Sequence, residues 1–192
     1  MRFIALLILT FCTIEYSICQ VPIRTGFIFA KDYSKEQSLY HAKTFVIQSV
    51  LGETTEIVKF EADPLVAASS GNLTTLVYKC ESKNESGLIL GFYGNKWNES
   101  GVIYQGYAFK DLPLQKANEF LEKIELAESE NYKYLIEKPD NNNVYFKYDD
   151  ITILISFGNY GNKLRVYWNG FDSEWDFEEF KKTKKRFSKK LK

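Results

Sequence analysis

Apolar and polar positions alternate along most of this chain with a period of two, interrupted by three stretches that switch to the three- and four-residue steps of a helix. Ile23 to Ala30 reads as a first strand. Ser34-x-x-Gln37 then opens a helix as a capping box, Leu39, Ala42, Phe45, Val46 and Val50 form its apolar stripe, and Gly52 stops it. Strand-like runs follow at Thr55–Glu61, Leu73–Cys80, Leu88–Tyr93 and Val102–Lys110. They are punctuated by Asp63-Pro64, the polar turn 81–87, Gly94-Asn95 and Asp111. Pro113 suits a helix first turn, and Leu114, Ala117, Leu121, Ile124 and Ala127 give a second stripe. A short strand at Tyr132–Ile136, the turn Asp140–Asn143, and strands at Val144–Tyr148, Ile151–Phe157 and Lys163–Asn169 come next. A last helix begins near Asp172, with Phe177, Phe180, Phe187 and Leu191 on one side.

The predicted fold is therefore α+β: about 7–9 mainly antiparallel strands and three amphipathic helices. Short turns favour antiparallel neighbours, and layer packing predicts the helices on one face of the sheet. A helix followed by four strands occurs twice, which makes 20–111 and 112–192 the natural halves of one domain spanning 20–192. Ile151–Phe157 is apolar at nearly every position, as an interior strand should be.

The first nineteen residues have a different character. Met1-Arg2 precedes the apolar run Phe3–Cys12, and Ser17 and Cys19 occupy the −3 and −1 positions of a cut before Gln20. This is the layout of a secretory signal peptide, and the run is too short to cross a hydrocarbon core of ~30 Å. The expected mature protein is exported, periplasmic or extracellular, and soluble. Lipidation at Cys19 is the competing reading, for which Tyr16-Ser17-Ile18 is a poor preceding context. Cleavage leaves Cys80 as the one cysteine, so no internal disulfide is expected, and its place at a strand end makes it a buried small apolar residue.

Tyr33-Ser-Lys-Glu-Gln-Ser-Leu-Tyr-His-Ala-Lys-Thr-Phe45 together with Glu56-Ile-Val-Lys-Phe-Glu61 resembles a group of small secreted bacterial proteins of unknown function. Their fold is described as TATA-binding-protein-like (β-α-β4-α). The resemblance spans about residues 23–130, and the chain departs from it at 62–70, where such sequences are more polar and Gly-rich. It implies the element order and an exported role, and it carries no activity or site residue; fold alone does not license DNA binding.

Charge adds an asymmetry that the formal net charge of +0 conceals. Residues 181–192 hold eight basic side chains and no acid, while residues 20–180 hold 16 basic and 24 acidic ones. Within the tail, Lys184, Lys185, Arg186, Lys189 and Lys190 are candidates for electrostatic contact with an anionic surface. The order of acids then bases along the last helix also matches its macrodipole, with Glu178–Lys182 as an i, i+4 pair. An acidic body argues against nucleic acid as a partner.

Candidate chemistry is sparse. One histidine, His41, and one mature cysteine cannot furnish a zinc set, and no cofactor motif occurs. No Gly-x-Ser-x-Gly elbow is present. Asp149-Asp150 is the visible carboxylate pair for a sugar-acting hydrolase, but it falls where a hairpin turn is expected. Three Asn-x-Ser/Thr sequons, at Asn72, Asn84 and Asn98, are too close to the chance number to argue for use. What remains is aromatic: at 16% Phe, Trp and Tyr, alternation must turn some rings outward. Tyr104, Tyr107, Tyr145 and Tyr167 are the candidate binding surface, suited to a protein or glycan partner. The expected function is an exported binding or interaction protein without a catalytic site. An envelope-associated protein using its basic helix and a carboxylate-dependent hydrolase are the alternatives.

Overall fold

In the computed structural model, residues 35–158 and 161–191 are described. The leader, the Ile23–Ala30 strand and the Ser34 cap lie outside them. Helix α1 (Lys35–Phe45) continues as a π-helical turn, Val46–Leu51, and ends before Gly52. Strands β1 (Glu61–Pro64), β2 (Leu73–Cys80), β3 (Glu85–Trp97) and β4 (Ile103–Pro113) follow, then helix α2 (Leu114–Glu137). Strands β5 (Asn143–Tyr148), β6 (Ile151–Gly158), β7 (Gly161–Trp168) and β8 (Phe171–Asp176) lead into helix α3 (Phe177–Lys190). Among the described residues the order is helix, four strands, helix, four strands, helix, and every strand pairing is antiparallel.

Two four-stranded meanders share one sheet through β3. On one edge β3 carries β4; on the other, β2 takes residues 85–92 and β8 meets it at Lys96↔Phe171. Trp97 N–H donates to Gly170 O at 2.9 Å across this joint. The turn beside it is Asn169-Gly170, with φ of 48° and 79°, the left-handed pair that a two-residue hairpin requires. Only glycine fits at 170, because a Cβ there would lie 2.3 Å from Trp97 O.

Alternation sorts the side chains into two cores. Leu88, Leu90 and Phe92 of β3 face α2 and α3 together with Ile151, Ile153, Ile155, Leu164, Val166 and Trp175, so one apolar cluster runs through both meanders. Ile89 and Tyr93 face the opposite way and meet Ala42, Phe45, Val46 and Leu51 of α1 and its π turn. Contrary to the expectation from layer packing, the three helices do not share a face: α1 covers the reverse side of the first meander. Both surfaces of β3 are apolar, which is what permits this.

Several boundaries differ from the sequence reading, including β3, which runs through the expected turn at Gly94-Asn95, and β4, which runs past Asp111. Thr55–Glu61 is not a strand; β1 begins at Glu61, and Val58 and Phe60 instead pack against the α1 core. Tyr132–Ile136 is the end of α2, where Leu135 is buried in phase with Ile124. Leu114 at the start of that stripe is exposed, and Phe120 takes a place in it. Residues 171–176 form β8 rather than a helix start, with Phe171, Ser173 and Trp175 inward. Cys80 is buried and free at the end of β2, as expected of a small apolar residue.

Candidate functional site

The four candidate tyrosines do not converge. Tyr145 and Tyr167 share the outer face of β5–β8, Tyr145 opposite Leu154 and Tyr167 opposite Thr152. Tyr145 is 77% exposed, and Tyr167 half-buried beside a forked pair in which Arg165 Nε and Nη2 donate to Asp172 at 2.9 and 2.8 Å. Tyr107 lies on the α1 side, its ring 4.9 Å from that of His41 and 5.8 Å from that of Phe109. Tyr104, three residues earlier, faces the other way beside Lys96.

The basic residues of α3 are distributed over several contacts. Lys184 pairs with Glu125 of α2, Lys190 with Asp63 of β1 at 2.7 Å, and Arg186 donates to Leu65 O at 3.4 Å. Among the described residues Lys185 and Lys189 carry no ion pair. The i, i+4 pair is replaced by two i, i+3 pairs, Glu178–Lys181 and Glu179–Lys182.

A cleft of about 270 Å³ lies alongside β4, between the π turn after α1 and the β5–β6 turn. Phe45 and Ser49 line it from the helix side, Phe109, Lys110 and Asp111 from β4, Asp150 from the turn and Trp168 from β7. π-Helical turns are rare and concentrate at functional sites; this one carries Ser49. Among the described residues, the Ser49 hydroxyl, Asp111 Oδ1 and the neighbouring Tyr78 hydroxyl are all buried without a hydrogen-bond partner within 3.5 Å. A hollow of about 550 Å³ below the π turn, lined by Leu51, Val58 and Phe60, has no such group, since its Lys83 donates to Leu51 O.

Asp111 reaches this position by strand register. It follows Tyr107 and Phe109 on one face of β4 and pairs with Ile89 of β3. Tyr78 of β2 lies across the backbone of Gly87 on the same side: a Cβ at 87 would come within 2.7 Å of the Tyr78 hydroxyl and 2.4 Å of Leu112 O. Burial pushes the Asp111 carboxyl up to about 6; the Tyr78 phenol, Lys110 and Lys116 oppose the rise and Glu85 adds to it. Burial and the Asp111 charge push the Tyr78 phenol far up in turn.

Asp150 is the contrasting carboxylate. Lys110 Nζ lies 2.6 Å from its Oδ1, and Trp168 Nε1 donates to Oδ2 at 2.8 Å. Burial favours its neutral form, but these two hydrogen bonds outweigh that and hold it below the usual range. Asp149 occupies the left-handed turn position (φ 55°) and pairs with Lys116 at 3.1 Å, so the pair does form the expected turn. Among the described residues no three His, Cys, Asp or Glu side chains converge as metal ligands, and no helix is long and apolar enough to cross a membrane.

Comparison of the chain with protein-family models, with curated proteins and with solved structures gives no match.

Proposed function

We propose that the protein is an exported binding module that takes a small ligand in the cleft beside β4. The observation that carries this is Asp111, a largely buried carboxylate on the wall of the cleft whose one neighbouring donor is the phenol of Tyr78 and which has no ion pair among the described residues. Such a group costs stability at neutral pH and packs no better than an apolar isostere, so its use lies in what it contacts. Aromatic walls with a few polar groups are the usual composition of small-ligand sites. Trp168, whose indole is tied to Asp150 at the rim, reports occupancy by fluorescence. A metabolite library screened by thermal shift should yield compounds that raise the Tm of the wild type and not of Asp111→Asn. A screen without such compounds, and an Asp111→Asn protein no more stable than wild type at neutral pH, would contradict the proposal. Export is checked by intact mass: the chain recovered outside the cytoplasm should begin at Gln20.

Hydrolysis by paired carboxylates is the second reading. In its favour, one cleft holds a carboxyl raised to about 6 and another held low, the division of labour that acid and base roles require. Against it, both Asp150 oxygens are already engaged by Lys110 and Trp168, leaving that group poorly placed to attack or to activate water. Binding without turnover is therefore the stronger proposal.

A further inference from the structure

We infer that the Asp111 cleft receives a primary ammonium group on a short apolar stem, the ammonium at the carboxylate of Asp111 and the stem along the apolar side; this rests on the binding reading above. Charge complementarity selects the class. Lys110 is committed to Asp150 at 2.6 Å, with Asp149 at 3.9 Å behind it. It also points to the opposite face of β4 from Asp111, its chain neighbour. The charged groups that reach Asp111 are Lys110 on its own strand, Glu85 on β3 and Lys116 on α2, with the phenol of Tyr78 from β2. Neither lysine comes within ion-pairing distance of it, Lys116 being paired with Asp149. From the α1 side the lining group is the uncharged Ser49. The Tyr78 phenol can offer Asp111 a neutral hydrogen bond but no charge, so among the described residues its negative charge has no ion pair, and Glu85 adds the same sign.

The walls sharpen the choice. Phe45 and Phe109 pack against each other at 5.5 Å and give the cleft an apolar side suited to a short hydrocarbon stem. An anion would meet the charge of Asp111, while the lysine of the cleft is already held by Asp150. A neutral alcohol offers one donor and leaves the carboxylate charge unpaired, and a quaternary ammonium has no N–H for it. A primary ammonium supplies both the opposite charge and N–H donors for the carboxylate. At about 270 Å³ the cleft falls below the ~300–1,000 Å³ of drug-sized sites, so the stem must be short.

The test is calorimetric titration of the full chain at pH 7.5 with n-butylammonium, Nα-acetyl-lysine methylamide, n-butanol and butyrate. The two amines separate a free amine from a lysine side chain of a polypeptide. Binding of either amine, with n-butanol and butyrate inert, is the expected result. Asp111→Asn, an isosteric change, should weaken it at least tenfold, and Ser49→Ala should weaken it less. Protonation of Asp111 competes with the ammonium, so binding should weaken about tenfold between pH 7.5 and pH 5. Binding of n-butanol as tight as that of n-butylammonium, and dependent on Asp111, would overturn the ammonium class and leave the cleft as a ligand site. Binding by neither amine, with Asp111→Asn more stable than wild type at pH 7.5, would likewise overturn the class alone. No binding by any probe together with an Asp111→Asn protein of unchanged stability would overturn both.

Discussion

Asp111 makes the sharpest prediction at the scale of single residues, because its chemistry and its burial pull in opposite directions. Its folded pKa of about 6 exceeds the unfolded value, so the native state binds the extra proton between roughly pH 4 and pH 6. Stability from this group is full below that window and is lost as pH rises through it. Asp111→Asn should therefore stabilise the fold by up to ~3 kcal/mol at pH 7.5 and by little at pH 4, measured by urea unfolding at both. Core residues predict the reverse. Ile153 and Ile155 are fully buried, and either one replaced by Ala should cost about 2–4 kcal/mol in the same assay. Ile153 and Ile155 were legible in the sequence as an apolar run. Asp111 was not, because the strand was read as ending at Lys110; carried one residue further, the alternation Tyr107, Phe109, Asp111 places an acid on an apolar face. That phase was the available signal.

Elements were legible where one periodicity ruled and obscure where two competed. Leu73–Cys80 alternates cleanly and is β2 to the residue. Tyr132–Ile136 is rich in aromatic residues that favour strands, yet α2 continues through it because Leu135 falls in helical phase with the buried stripe. β8 escaped notice because its acids read as the opening of a helix; the Asn169-Gly170 turn before it was the stronger signal. Helix α3 predicts its own behaviour. Phe180 and Phe187 are fully buried against the core. Truncation after Phe180 removes Phe187 and should lower stability by at least ~3 kcal/mol. Changing Lys184, Lys185, Lys189 and Lys190 to Gln breaks only surface pairs and should cost about 1 kcal/mol or less. Both are read from thermal melts. The same quadruple variant should differ little from the wild type in co-sedimentation with anionic vesicles if the helix is structural. Loss of strong, salt-sensitive adsorption would assign it to the envelope instead.

The whole molecule depends on the joint where β3 meets β8. The order of elements was legible; the sharing of β3 between two meanders was not, since it rests on a single register between residues 75 apart, Lys96 and Phe171. An apolar cluster that spans both meanders predicts one cooperative transition. Gly170→Ala forces a side chain against Trp97 O at a positive φ and should cost about 1–3 kcal/mol, seen as a lowered urea midpoint. The same joint leaves β4 to form, with the π turn and the β5–β6 turn, the cleft in which Asp111 stands. Carbon-detected NMR titration of the Asp111 carboxyl, with and without n-butylammonium, tests that site most directly. The account predicts a pKa near 6 in the free protein that falls when the amine is added. A pKa of about 3.9, as in a solvated aspartate, unmoved by the amine, would contradict it.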